Sequence, residues 1–341
     1  MTLASPKSWS ARFVETYRLP RHSLLTTSLV VAAIGAVPFI GGEYPRFVVL
    51  LVLINVIVAT GVNLSMGYCG LVSVGHAGFV AIGAYVTALL MVHWDTSFLI
   101  AIPAGSLAAA LAGILIGVPA LRLSPLYIAM VTFGFGQAVN YVALNWIELT
   151  GGPNGMAVPP ASLLGEALSS HSIYFITAVC CLLSLWVARN IAASRLGRAF
   201  IAIRESEIAA QSMGVPVARY KTIAFGIGAL YGGLAGGLYA LVAEYVNPDA
   251  FVFLISVLYV TMCVAGGLGT FLGPIVGAAM LTVLPELLRP LAEYKEVLSG
   301  IILLTFLVLI PQGLVPLIAR WVILLRKRLR ISLKRQPEPL A

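Results

Sequence analysis

The sequence predicts an all-α fold, a polytopic transmembrane helical bundle of about ten spans with glycine-broken helices. Three observations predict it. Only 10% of the 341 residues are charged and 60% are hydrophobic, whereas a soluble domain carries roughly 25% charged residues. With a mean hydropathy of +0.99, there is too little charge to coat a water-facing surface. The charged residues also stand far apart, leaving intervals in which a helix of about 20 residues can cross a hydrocarbon core. Finally, the net charge of +8 comes mostly from three basic clusters outside those intervals. That is the pattern of membrane topology, and it argues against nucleic acid as a partner.

The elements follow in order. Residues 1–22 form a basic N-terminal segment (Lys7, Arg12, Arg18, Arg21), and 21 residues without formal charge precede Glu43, enough for a first span. The start resembles a signal peptide, but no small-residue cleavage site is evident, so an uncleaved helix is expected. From Arg46 to Asp95 lie 48 uncharged residues, room for two spans. Asp95 to Arg122, Arg122 to Glu148 and Glu166 to Arg189 enclose 26, 25 and 22, one span each. After a hydrophilic loop at 190–220, Lys221 to Glu244 encloses 22 residues, again one span. Asp249 to Glu286 encloses 36, tight for two helices, so at least one should be short or broken. Glu296 to Arg320 encloses 23 for the last span, which closes a transmembrane domain at 23–318 ahead of a basic tail at 319–341.

An even number of spans, six of them before the 190–220 loop, puts the N-terminal cluster, the loop and the tail on one side. By their Lys and Arg content that side is the cytoplasm. The four cysteines (Cys69, Cys180, Cys181, Cys263) lie in apolar runs without metal-ligand spacing and read as small core residues.

Two stretches are rich in glycine: Gly67 to Gly78, and Gly266 to Pro274. They resemble each other after a one-residue gap, so an internal repeat of two bundles is expected. Irregular backbone at membrane depth survives where protein or a water-filled cavity satisfies it. Gly70, Ser73, Gly75, His76, Gly267, Gly269 and Gly273 are therefore candidates to line a pathway, with close helix packing as the alternative. Ala229 to Gly237 fits that packing alternative better. Asn55, Asn63, Gln137 and Asn140 are the main amides within the apolar intervals. His76 has no intramembrane carboxylate or histidine partner for a proton relay, and a hydrogen bond pinning it to nearby backbone is expected.

In the 190–220 loop, Ser194 and Gly197 open an amphipathic helix whose Phe200, Ile201, Ile203 and Ile208 recur at helical spacing, with Pro216 as its stop. Glu207, Ala209, Ala210 and then Gly214 are similar to the EAA signature of ABC importer permeases, Glu-x-Ala-Ala with a glycine four residues on. The resemblance implies a coupling helix that docks on a separate ATPase. Arg204, Glu205 and Glu207 would set register, Ile203, Ile208 and Met213 would supply apolar contact, and Arg198, Ala209, Ala210 and Gly214 complete the coupling loop. A helix lying at the lipid interface is the alternative.

The resemblance extends further. Gly67 to Leu90, Leu121 to Tyr127, Leu149 to Gly155 and Gly197 to Tyr239 look like the LivM-type permease of branched-chain amino acid ABC importers. That family implies a multi-pass protein of the bacterial inner membrane, a LivH-type permease partner, two ATPase subunits that hold ATP and magnesium, and a periplasmic binding protein. It also implies alternating access as the mode of transport. Gly151, Gly152, Pro153, Asn154 and Gly155 are candidate docking residues for the binding protein. No Gly-x-x-x-x-Gly-Lys-Ser/Thr motif is present, so ATP chemistry is expected in the partners. Within this chain, no catalytic residue, metal ligand or cofactor is expected. Three other readings stay open: a urea or short-amide importer, an ion-coupled secondary transporter, and a membrane scaffold.

Overall fold

The computed structural model describes residues 42–120, 125–163 and 166–289, with short pieces between 298 and 317. The expected first span, the basic ends, Leu121 to Ser124 and most of the last span lie outside the described residues.

The described residues are helical apart from connections and two short ladders. Helix α1 (Glu43–Val62) runs on as a π-helical stretch, Asn63–Tyr68. Then come α2 (His76–His93), α3 (Phe98–Ala120), α4 (Pro125–Asn145) and the single turn α5 (Ile147–Thr150). Strands β1 (Met156–Ala157), β2 (Ser162–Leu163) and β3 (Glu166–Ala167) precede α6 (Ser170–Ala193). Helices α7 (Arg195–Glu205), α8 (Glu207–Ser212) and α9 (Val217–Ala243) follow, then β4 (Tyr245–Val246), α10 (Phe253–Gly266) and α11 (Gly273–Leu287). β1 pairs antiparallel with β4, and β2 with β3.

Among the described residues, six helices are long and apolar enough to cross a membrane: α1 with its π extension, α2, α3, α4, α6 and α9. α1 and α2 share the long charge-free interval from Arg46 to Asp95, and α3, α4, α6 and α9 each take up one interval of their own. The tight interval from Asp249 to Glu286 holds the two short helices α10 and α11, of 14 and 15 residues.

Helix α9 is the centre of the bundle and packs on α3, α2 and α1. Its glycines explain how. A Cβ on Gly236 would overlap the Val80 carbonyl oxygen, and one on Gly83 would overlap the Gly233 carbonyl. Lipid tails are as apolar as leucine, so helices in a membrane hold together by close van der Waals approach, which small residues permit. The Ala229 to Gly237 run is thus a packing face.

The glycine-rich stretches differ from the expected breaks within spans. α1 and its π extension make 26 residues, about 39 Å at 1.5 Å per residue, which crosses a bilayer without help. Cys69–Gly75 is a connection between two helices, and it does not stay at one level. Gly70 lies against Arg204 of α7, whereas Gly75 packs on the Thr132 main chain near the middle of α4. The second stretch, Gly267–Leu272, joins α10 to α11, each shorter than the ~20 residues of a full span.

Candidate functional site

The 190–220 loop folds as two helices and not as one. Ser194 caps α7, its Oγ accepting from the Leu196 amide at 3.1 Å. Ser206 then interrupts the run. Its backbone is extended, and its Oγ accepts from the Ala209 amide at 3.3 Å, which starts α8 afresh. The end comes at Gly214, before Pro216. The Gly214 amide donates to the Gln211 carbonyl and the Val215 amide to the Ala210 carbonyl, the double closure of a Schellman motif. Gly214 holds φ +79° in open space, so its backbone conformation alone calls for glycine.

Phe200 and Ile203, one turn apart, are buried in the chain's own core, and so is Ala210. This corrects the expected docking role of Ile203. An apolar stripe on a short helix is drawn first to the bundle beside it. The apolar side chains presented outward are Ile208 and Met213, 81% and 84% exposed. Arg198, Glu205, Glu207 and Ala209 are exposed with them.

Arg204 has an exposed side chain on average, yet its guanidinium turns inward. Nη1 donates to the Gly67 carbonyl oxygen and also lies against Gly269, while the side-chain stem covers Gly70. Both glycine-rich stretches therefore meet at this one arginine. Asn63, on the π-helical turn, joins them a second time. Its Nδ2 donates to the Thr270 carbonyl at 2.9 Å, and its Oδ1 accepts from the Gly269 amide at 2.8 Å. Thr270 Oγ1 in turn donates to the Gly267 carbonyl and accepts from the Gly273 amide. Next to this cluster, Lys221 at the start of α9 is buried with its Nζ 2.5 Å from the half-exposed Glu207 carboxylate. The structure thus brings Arg204, Glu207, Gly70, Gly267, Gly269 and Gly273 to one end of the bundle.

Ser73, Gly75 and His76 lie apart, at the start of α2. The Val74 amide donates to Thr132 Oγ1 of α4, and the Ala77 amide to Ser256 Oγ of α10. The expected pinning of His76 is corrected. The Ser73 backbone is beside the ring, but neither ring nitrogen finds hydrogen-bonding geometry, and the buried Ser73 hydroxyl also has no partner. What holds the imidazole is an edge contact with Phe79, centroids 5.7 Å apart.

At the opposite end of α4, Gly151, Gly152 and Gly155 all have positive φ. A Cβ on Gly151 would overlap the Gly155 carbonyl, and the Tyr245 hydroxyl donates to the Asn154 carbonyl. The turn is built tightly on β4. Of the five candidate docking residues only Pro153 and Asn154 are exposed. A cavity of about 450 Å³ opens near the start of α1, with Arg46, Phe47, Ser170, Val242 and Glu244 among its lining.

Asn63, Lys221 and Thr270 join the site without being singled out for it by the sequence. The signals were an amide inside an apolar interval and a lysine at the edge of one, but their partners are some 200 residues away or on another helix.

Residues 44–308 match the family described as branched-chain amino acid transport system / permease component. The chain belongs to this permease family. It is 35% identical to the high-affinity branched-chain amino acid transport system permease protein LivM of Escherichia coli K12, over 87% of this chain and 76% of that protein. The corresponding LivH of the same organism is 26% identical over 76% of this chain and 90% of that protein. The autoinducer 2 import system permease protein LsrC of an Enterobacter species is 29% identical over 70% of each. No solved structure matches. As a member of this permease family, the chain is a multi-pass membrane protein and a transport subunit.

Proposed function

We propose that this chain is the membrane-spanning permease subunit of an ATP-driven importer for branched-chain amino acids, paired with a second, LivH-type permease. The match to the permease family over residues 44–308 carries the reading, and the similarity to both LivM and LivH supports a permease pair. Two cytoplasmic ATPases and a periplasmic binding protein complete the assembly. Both termini are on the cytoplasmic side of a bacterial inner membrane, with about ten spans arranged as two related bundles.

The contacts support the following mechanism. An ATPase gripping Ile208, Met213 and the charged rim of α7 and α8 moves these helices as a unit. Because Arg204 is hydrogen-bonded to Gly67 and packs on Gly70 and Gly269, that movement reaches both glycine-rich connections. Each connection leads into a helix, α2 or α11, so a displacement at Arg204 tilts both and changes which side of the membrane the pathway faces. Pro153 and Asn154 offer the binding protein a surface on the outer side. The cavity near the start of α1, lined by Arg46 with Glu43 and Glu244, offers charges of both signs to the two ends of a zwitterion.

Uptake of labelled leucine into proteoliposomes containing all partners tests the proposal. Uptake should need ATP and the binding protein, compete with isoleucine and valine, and be indifferent to urea. Transport that persisted without the ATPases but collapsed with an ion gradient would replace this reading by a secondary transporter.

A further inference from the structure

Helix α4 is the least buried of the six long helices: 17% of its apolar stretch is buried, against 72% for α9. One face packs through Ile128, Thr132 and Ala143. The outward face carries Met130, Gly134, Gln137 and Tyr141, a stripe at helical spacing. Elsewhere, outward faces are apolar, as lipid demands: Leu107, Leu111 and Leu115 on α3, or Val179, Leu183 and Trp186 on α6. Gln137 is the one exposed carboxamide away from the end of a long helix among the described residues, and it has no hydrogen bond within them.

Facing hydrocarbon, an unpaired amide costs several kcal/mol. Its neighbour is also out of place. Gly134 is the one glycine within the six long helices, among the described residues, whose Cβ would meet nothing within 4 Å. Nearly every other glycine there has a neighbour that a Cβ would crowd, and a glycine without such a reason weakens a helix relative to alanine. A notch and an amide thus share one outward face. On the inward side of the same helix, Gly136 packs against Gly75 at the start of α2, beside the buried Ser73 and His76.

We infer that this face of α4 is a wall of the translocation path, completed by the second permease, and that Gln137 is the group on it that meets the polar ends of the moving amino acid. The chemistry suits a zwitterion. A carboxamide donates through its NH₂ to a carboxylate and accepts through its oxygen from an ammonium. Being neutral, it traps neither. Gly134 leaves room one turn away for an aliphatic side chain. The inference rests on the importer reading above and assigns that reading's substrate contact.

The test uses the assembled complex in proteoliposomes, with Gln137→Cys in a background whose four native cysteines are replaced. A charged methanethiosulfonate reagent should label Cys at position 137, and leucine should slow the labelling. Leu115→Cys on α3 should react with an apolar maleimide only. Labelling of position 137 by the maleimide alone would mean lipid, and labelling by neither reagent a dry helix contact; either result overturns the inference. In uptake, Gln137→Leu should lose about tenfold or more with ATP hydrolysis retained, and Gln137→Asn should recover part of the loss. Equal uptake by Gln137→Leu and wild type would overturn it as well. A wild-type complex that takes up no leucine would instead refute the importer reading.

Discussion

The Arg204 guanidinium of α7 donates to the main-chain carbonyl of Gly67, at the end of the π-helical turn that closes α1. A surface helix outside the spans thereby holds the backbone of the bundle itself. A charged donor on a carbonyl is about twice as strong as a neutral hydrogen bond, and the same guanidinium lies against Gly269.

Asn63 makes the second tie between the connections, so its substitution should loosen them. Asn63→Leu removes the bond from the Gly269 amide and the bond to the Thr270 carbonyl, at about 1–3 kcal/mol each. Asn63→Asp keeps the acceptor for Gly269 but sets a carboxylate oxygen against the Thr270 carbonyl, and is expected to be at least as damaging. Thermal unfolding of the detergent-solubilised complex, followed by size-exclusion chromatography, measures both.

Glu207 offsets the buried charge of Lys221. Glu207→Lys places two like charges together and should abolish uptake while the protein still reaches the membrane. Glu207→Gln should show an intermediate loss. Exchanging the pair, Glu207→Lys with Lys221→Glu, should restore part of the uptake if the ion pair is what matters.

Gly214 is needed for its backbone, because nothing crowds it. Asn visits the left-handed region more readily than other L-residues, so the order Gly, Asn, Ala, Pro is expected for uptake, with Gly214→Pro inactive. Equal uptake by Gly214→Asn and Gly214→Pro would mean that the α8 closure is irrelevant to coupling.

Gly83 and Gly236 set the distance between α2 and α9. Gly83→Val or Gly236→Leu forces these helices apart and should leave little folded protein in the membrane, while Gly134→Ala, in open space, should express normally. Membrane-fraction immunoblots distinguish the two outcomes.

Much of this fold was legible in the sequence because charge is so costly in a bilayer. The uncharged intervals located α1, α2, α3, α4, α6 and α9, and the excess of glycine after Ala229 announced a packing face. The tight interval after Asp249 foretold the short α10 and α11. What escaped was set by contacts distant in sequence. Helical periodicity marks Ile203 as apolar but not whether it faces the bundle or a partner. The choice of Ser206 as a new cap depends on one backbone torsion, and no local pattern says that Arg204 turns inward. Asn63 and Gly269 meet only after α1 and α10 are packed side by side.

The coupling of α7 to the two connections is tested most directly by the ratio of leucine imported to ATP hydrolysed in the reconstituted complex carrying Arg204→Gln. The account predicts that hydrolysis continues while uptake falls at least about tenfold, with Arg204→Lys in between. A wild-type ratio in Arg204→Gln would contradict it.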